Sequence, residues 1–187
     1  MKDLKRRLRD EARGRRAVLA AACPDFAARV AEHAHALDIP RGSVVGAYVA
    51  MEGEADPHLL LKALAGSDRT FAFPRVAAKK QPLHFHHLPS GREFVKSAFG
   101  VPEPAEDWPR AHPNILLVPM LAFDRDGYRL GYGGGFYDMT LGALRAAGPL
   151  RAIGVAFAGQ EVEALPREPH DERLDAVVTE KGVRCFR

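Results

Sequence analysis

The chain has 187 residues, 47% of them hydrophobic, with 27 Lys and Arg against 24 Asp and Glu for a net charge of +3. That length buries a core without covalent staples; two cysteines with no CxxC pair, and no apolar run near the roughly 20 residues of a membrane span, exclude a disulfide scaffold and a membrane-spanning protein. One domain over residues 1–187 is expected, reduced and cytoplasmic.

Residues 2–21 read as a helix, with Leu4 and Leu8 one turn apart among cations. Its first part, MKDLKRRLRDEARGRR, holds eight Lys or Arg against three acids. Such an end can meet nucleic acid, an acidic membrane or a phosphorylated ligand, or be a solvated helix face. Residues 25–37 read as a second helix with Phe26, Val30 and Leu37 on one stripe. SVVGAYVA (43–50) is a β-rich apolar run. DPHLLLKALAG (56–66) has Asp56 as N-cap, Pro57 at the first helical position and Gly66 past the end. TFAFPRV (70–76) reads as a strand, and PLHFHHL (82–88) as an alternating edge strand.

NILLVP (114–119) is apolar throughout, the pattern of a strand covered on both faces. Residues 137–148 read as a helix ending at Gly148, and 151–157 and 174–179 as two further buried strands. Strands alternating with helices predict an α/β fold, a three-layer sandwich around a largely parallel central sheet with an N-terminal basic helix. In such sheets ligands collect beyond the carboxyl ends of the strands.

RLGYGGGFYD (129–138) follows a buried strand and opens a helix. Glycines let backbone N–H groups approach phosphate oxygens, and a helix N-terminus adds positive potential. No Lys-Ser/Thr follows, so this is not a Walker A loop, and the GxGxxG spacing fails at Phe136. Arg129 suits phosphate, and Asp138 suits a phosphate-bridging Mg²⁺ or a dipole-stabilised helix start. Asp171 and Asp175, in EPHDERLD (168–175), are each a second hard oxygen donor or a turn residue.

The stretch LLVPMLAFDRDGYRLGYGGGFYD closely resembles the signature of the 5-formyltetrahydrofolate cyclo-ligase family. KRRLR (5–9) with Arg16 beyond it, AYVAMEGEADP (47–57), FPRV (73–76), FGVPEP (99–104) and PHDERLDAVVTE (169–180) resemble its other segments in order. The resemblance implies conversion of 5-formyltetrahydrofolate to 5,10-methenyltetrahydrofolate with release of ADP and phosphate, ATP being the co-substrate and Mg²⁺ the metal. It implies that Lys5 and Arg9 reach the nucleotide phosphates. ATP would be wrapped by Arg129, Leu130, Gly131, Tyr132, Gly133, Gly134, Gly135, Phe136 and Tyr137. Tyr132 through Phe136 would also face the folate, beside Val49 and Glu54. Asp138 and Asp171 would hold Mg²⁺. Two small-molecule substrates, no nucleic acid, no membrane, and a monomer or weak homodimer complete that expectation.

Three positions depart from the family pattern. Phe136 stands where the family usually has Tyr, Met139 where many bacterial members have Arg, and Gly134 where some carry Lys. Lys96 is a candidate replacement cation. Two other readings stay open. One is a paralogue of the same fold acting on another pterin or in thiamine metabolism. The other is a basic nucleic-acid-binding module using the 1–16 helix. His84 and His86 would share one strand face, but no acid or cysteine nearby completes a metal set. Trp108 reads as a loop anchor, and Cys23 and Cys185 as inert.

Overall fold

A computed structural model describes residues 2–66, 68–97 and 100–186, so Phe99, at the head of FGVPEP, lies outside the described residues. The first half holds α1 (Lys2–Ala22), α2 (Phe26–Glu32), a 3-10 turn (His35–Leu37), β1 (Val44–Gly46), α3 (His58–Leu64), β2 (Thr70–Arg75), β3 (His84–His87), β4 (Val95–Lys96) and β5 (Pro102–Glu103). The second half holds β6 (Arg110–Ala111), β7 (Ile115–Val118), β8 (Ala122–Asp124), β9 (Arg129–Leu130), α4 (Phe136–Ala147), β10 (Arg151–Val155), a 3-10 turn (Ala158–Gln160), β11 (Glu161–Val162), β12 (Ala176–Thr179) and β13 (Gly182–Cys185).

The main sheet runs β13-β12-β10-β7-β1-β2-β3-β6. Its five central strands, from β12 to β2, are parallel, and β13, β3 and β6 join antiparallel at the flanks. Successive side chains of β7 point to opposite faces. Ile115 and Leu117 enter the cluster under α2 and α3, with Phe26, Val30, Leu60 and Leu64. Leu116 and Val118 enter the other, under α4, with Leu141. Both faces are therefore covered, and the three-layer arrangement around a largely parallel sheet is as expected.

A second sheet, β11-β8-β9, carries the basic helix. Leu8 and Ala12 of α1 pack on Leu121, Leu130 and Leu165. Leu4 does not join this seam and is 48% exposed. The stripe starts one turn later, at Leu8.

Several elements differ from the sequence expectation. The helix over 25–37 stops at Glu32, and the chain turns through His35–Leu37 with Asp38 at φ 46°. That turn carries Leu37 and Ile39 into the core, where they are 0% and 3% exposed. The strand over 43–50 ends at Gly46, though Ala47 N–H still donates to Ala72 O at 2.8 Å. Helix α3 starts at His58, one residue late, with the Asp56 carboxylate accepting the His58 N–H at 2.9 Å. β3 is not an edge, since the two-residue β6 pairs outside it. His86 is consequently buried, with Nδ1 2.8 Å from Trp108 O and Nε2 3.3 Å from Arg110 Nη1. Trp108 is buried against Phe94, as a loop anchor should be. Among the described residues no helix is long and apolar enough to cross a membrane.

Candidate active site

From β1 the chain steps to β2 on one side, and β7 later leads to β10 and β12 on the other. The order therefore reverses between β1 and β7, the place where ligands bind beyond strand ends. A cavity of about 990 Å³ opens there, lined by Tyr48 and Val49 after β1, Pro74 and Val76 at the end of β2, and Pro119 after β7. That volume is at the upper end of small-molecule sites, which span about 300–1,000 Å³.

The glycine run forms one wall, and the β8–β9 hairpin aims it. Asp124 is fully buried. Its Oδ1 accepts the Asp126 and Tyr128 N–H groups, both at 3.0 Å, and its Oδ2 accepts the Leu165 N–H at 3.2 Å and Arg167 Nη2 at 3.3 Å. Those bonds fix the turn that returns the chain as β9. Beyond β9, Arg9 Nε donates to Gly131 O at 3.0 Å. Gly133 has φ +102°, and a Cβ on it would stand 3.2 Å from Arg9 Cζ. A Cβ on Gly134 would stand 2.8 Å from the Phe136 ring. The glycines thus admit Arg9 and the Phe136 ring against the backbone. Gly135 then caps α4, whose first turn contains Asp138.

Two ionic clusters cross the same wall. Arg129, with its side chain 3% exposed, donates from Nη2 to Asp138 Oδ1 at 2.7 Å and from Nη1 to Glu172 O. Asp138 Oδ1 also accepts the Glu172 N–H at 3.0 Å. Burial lowers the Arg129 pKa, and the Asp138 and Asp171 charges oppose that shift. In the second cluster Lys5 Nζ stands 2.8 Å from both Glu168 Oε2 and Asp171 Oδ2. Burial alone would lower the Lys5 pKa, but hydrogen bonds to Asp171 and Glu168 hold the ammonium above its ordinary value. The Asp171 carboxyl is pushed up by burial and more strongly down by Lys5 and the Glu168 N–H, and it ends below the usual range.

A hard divalent cation suits this set. Among the described residues, ligand atoms of Glu168, His170 and Asp171 lie within 4.8 Å of one another. Asp138 and Asp171 each direct all their hydrogen bonds to one oxygen, leaving Asp138 Oδ2 and Asp171 Oδ1 without one among the described residues. Oxygen donors of this kind match Mg²⁺. Asp175 does not line the cavity, and its Oδ2 takes Arg145 Nη2 at 3.0 Å and the Ala152 N–H at 2.7 Å.

A third polar cluster in the cavity centres on Glu54, whose side chain is 5% exposed. Its Oε2 accepts the Met51 N–H at 2.9 Å. Its Oε1 accepts the Tyr132 hydroxyl and lies 3.5 Å from Arg16 Nη1, which also contacts the Tyr132 oxygen. Tyr48 closes this loop by donating to Ala55 O. Burial first, then the Glu54 charge, push the Tyr48, Tyr132 and Tyr137 phenols well above their ordinary range. All three remain O–H donors near neutral pH.

Lys5, Arg9, Val49, Glu54, the whole run from Arg129 to Asp138, and Asp171 line this one cavity. Sequence reading did not single out Asp124, Glu103, Glu168 or His170. Glu168 carried one signal, standing three residues before Asp171 in the same turn. Lys96 is exposed on β4 and does not line the cavity, although its neighbour Ser97 does. Cys23 and Cys185 are free, the first partly buried and the second exposed.

The model of the 5-formyltetrahydrofolate cyclo-ligase family matches residues 1–180. The 5-formyltetrahydrofolate cyclo-ligase of Mycolicibacterium smegmatis is 34% identical over 155 residues, covering 78% of each chain. Its Escherichia coli K12 counterpart is 33% identical over 74% of this chain and 79% of its own. The Aquifex aeolicus 5,10-methenyltetrahydrofolate synthetase structure superposes with a TM-score of 0.76 at 30% identity, over 98% of this chain and 93% of that one. The Mycoplasma pneumoniae synthetase shares the fold at a TM-score of 0.72 and 20% identity.

Proposed function

This chain belongs to the 5-formyltetrahydrofolate cyclo-ligase family and is an enzyme of that activity, and we propose that it closes the ring of 5-formyltetrahydrofolate by phosphorylating the formyl oxygen with Mg-ATP. The observation that carries this reading is one cavity lined by two chemically different sets of groups. One is Lys5, Arg9 and the N-terminus of α4, and the other is the apolar Pro74, Val76, Leu83 and Val101. The first suits a polyphosphate and the second a flat ring system.

An N-formyl oxygen is a poor leaving group. In the proposed sequence it attacks the γ-phosphorus and the bond to the β-phosphate oxygen breaks, releasing ADP. Nitrogen 10 then adds to the formyl carbon and loses its proton, and the carbon–oxygen bond breaks with phosphate leaving. Such chemistry asks mainly for positioning and charge neutralisation. Arg9 and Lys5 reach the phosphates from α1, and the backbone N–H groups of the glycine run face them. Arg129 sits behind the wall and holds Asp138 in place. Tyr132, fixed by Glu54 and Arg16, orients the folate side with Val49 and the Phe136 ring. Asp138 and Asp171 would hold the Mg²⁺, which when bound neutralises charge on the transferring phosphoryl group.

The direct test mixes purified protein, Mg-ATP and 5-formyltetrahydrofolate and follows the methenyl chromophore. ATP-dependent growth of that absorbance is expected; its absence with folded protein would overturn the reading. Phe136 offers a finer test. Its ring lies on Gly134 in the wall assigned to both ligands. Phe136→Tyr restores a hydroxyl that can gain one hydrogen bond, so turnover should stay equal or rise by up to roughly ten-fold. A clear loss in steady-state rate would mean that the pocket is shaped to Phe.

A further inference from the structure

Glu103 is a second buried carboxylate in the cavity, apart from the Lys5, Arg129 and Glu54 clusters. It is 9% exposed, at the end of β5, and lines the cavity with its neighbours Val101 and Pro102. Arg75, at the end of β2, donates from Nη1 to Glu103 Oε1 at 2.8 Å and to Pro104 O at 2.9 Å. Oε2 has no hydrogen-bond partner among the described residues, and it is not among their sealed, unpaired atoms, which are Ser43 Oγ and Trp108 Nε1. One oxygen is thus locked and the other open.

We propose that Glu103 Oε2 is the acceptor that reads an N–H edge of the substrate's bicyclic ring. A buried carboxylate in apolar walls is costly unless its lone pairs are used. Both Glu54 oxygens are already engaged, by Met51 and by Tyr132 with Arg16, so Glu54 fixes the Tyr132 side while Glu103 offers the open oxygen. The matching ligand edge presents adjacent N–H donors, as the amino group and neighbouring ring N–H of a pterin do. Adenine places an acceptor nitrogen beside its amino group, which a carboxylate repels. Arg75 is a positioning residue here. It holds Oε1 and fixes the Glu103 rotamer.

This inference rests on the reading of 5-formyltetrahydrofolate as substrate, and the test separates the two. In Glu103→Gln the amide oxygen takes the Arg75 bond, which turns the NH₂ group toward the ligand's donors. The dissociation constant for 5-formyltetrahydrofolate should rise by about ten-fold or more, with that for ATP unchanged. An analogue with methyl in place of the 2-amino group should bind wild type about ten-fold more weakly than substrate, and Glu103→Gln with less than about two-fold discrimination. Equal weakening of both ligands with a lowered melting temperature would make Glu103 structural only and overturn the inference. So would unchanged folate binding by the variant. Failure of wild type to bind 5-formyltetrahydrofolate would overturn the substrate reading itself.

Discussion

Asp138→Ala is expected to lose turnover and stability together. Asp138 accepts Arg129 Nη2 at 2.7 Å and the Glu172 N–H at 3.0 Å, and the Arg129 side chain is only 3% exposed. Removing the carboxylate leaves a buried guanidinium without its partner, a change that typically costs about 3–5 kcal/mol. Asp138 is itself a quarter exposed, so about 3 kcal/mol is the sensible expectation for this pair. The sequence alone suggests a metal ligand or a dipole-stabilised acid at the start of a helix. Its contacts make it also the bond between β9, α4 and the 168–175 turn. Asp138→Asn separates the two roles. It keeps an acceptor for Arg129 and Glu172, so chemical denaturation should recover most of the loss, while turnover at limiting Mg²⁺ stays low. A near-normal rate for Asp138→Asn at limiting Mg²⁺ would remove Asp138 from the metal set.

What was legible in the sequence follows from length and pattern. β7 and β10 are continuous apolar runs, and α4 is a helix of three turns opened by glycine, so each carries a strong local signal. RLGYGGGFYD was legible for the same reason. Its composition makes sense only where backbone must come close to something, and Arg9 and Phe136 are the groups that come close. The illegible parts are short or non-local. β4, β5, β6, β9 and β11 have two residues each, below any periodicity. The burial of His86 depends on β6, which the sequence gives no reason to expect. Asp124 and Glu103 look like ordinary loop acids, yet one aims the glycine hairpin and the other lines the cavity. Their burial comes from chain segments about 28 to 43 residues away, and carboxylates are almost never buried without such partners.

Lys5→Met should be the second severe variant, through ligand binding more than through packing. Met keeps the length and apolar stem that Lys5 buries against the wall, while the ammonium, with its 2.8 Å contacts to Glu168 and Asp171, is removed. If α1 reaches the nucleotide through Lys5, the variant loses a charged contact to phosphate. Glu168 and Asp171 then also turn two uncompensated negative charges on the same phosphates. Each charge-assisted contact is worth about 1.5–3 kcal/mol, so kcat/KM for ATP should fall by roughly 100-fold, with Lys5→Arg restoring part of it. The carboxylates give an independent readout. Lys5 holds the Glu168 carboxyl below its usual pKa, and at Asp171 it overcomes a burial effect of opposite sign. A depressed carboxyl pKa contributes stability above its ordinary value near pH 4 and loses it as pH falls. Wild type should therefore lose stability on acidification through that region, and Lys5→Met, whose carboxyls relax upward, should lose less. Thermal melts across that pH range, paired with ATP titrations, test both halves. An unchanged ATP affinity in a variant with the flattened acid profile would confine Lys5 to tying α1 to the 168–171 turn and take it out of the nucleotide site.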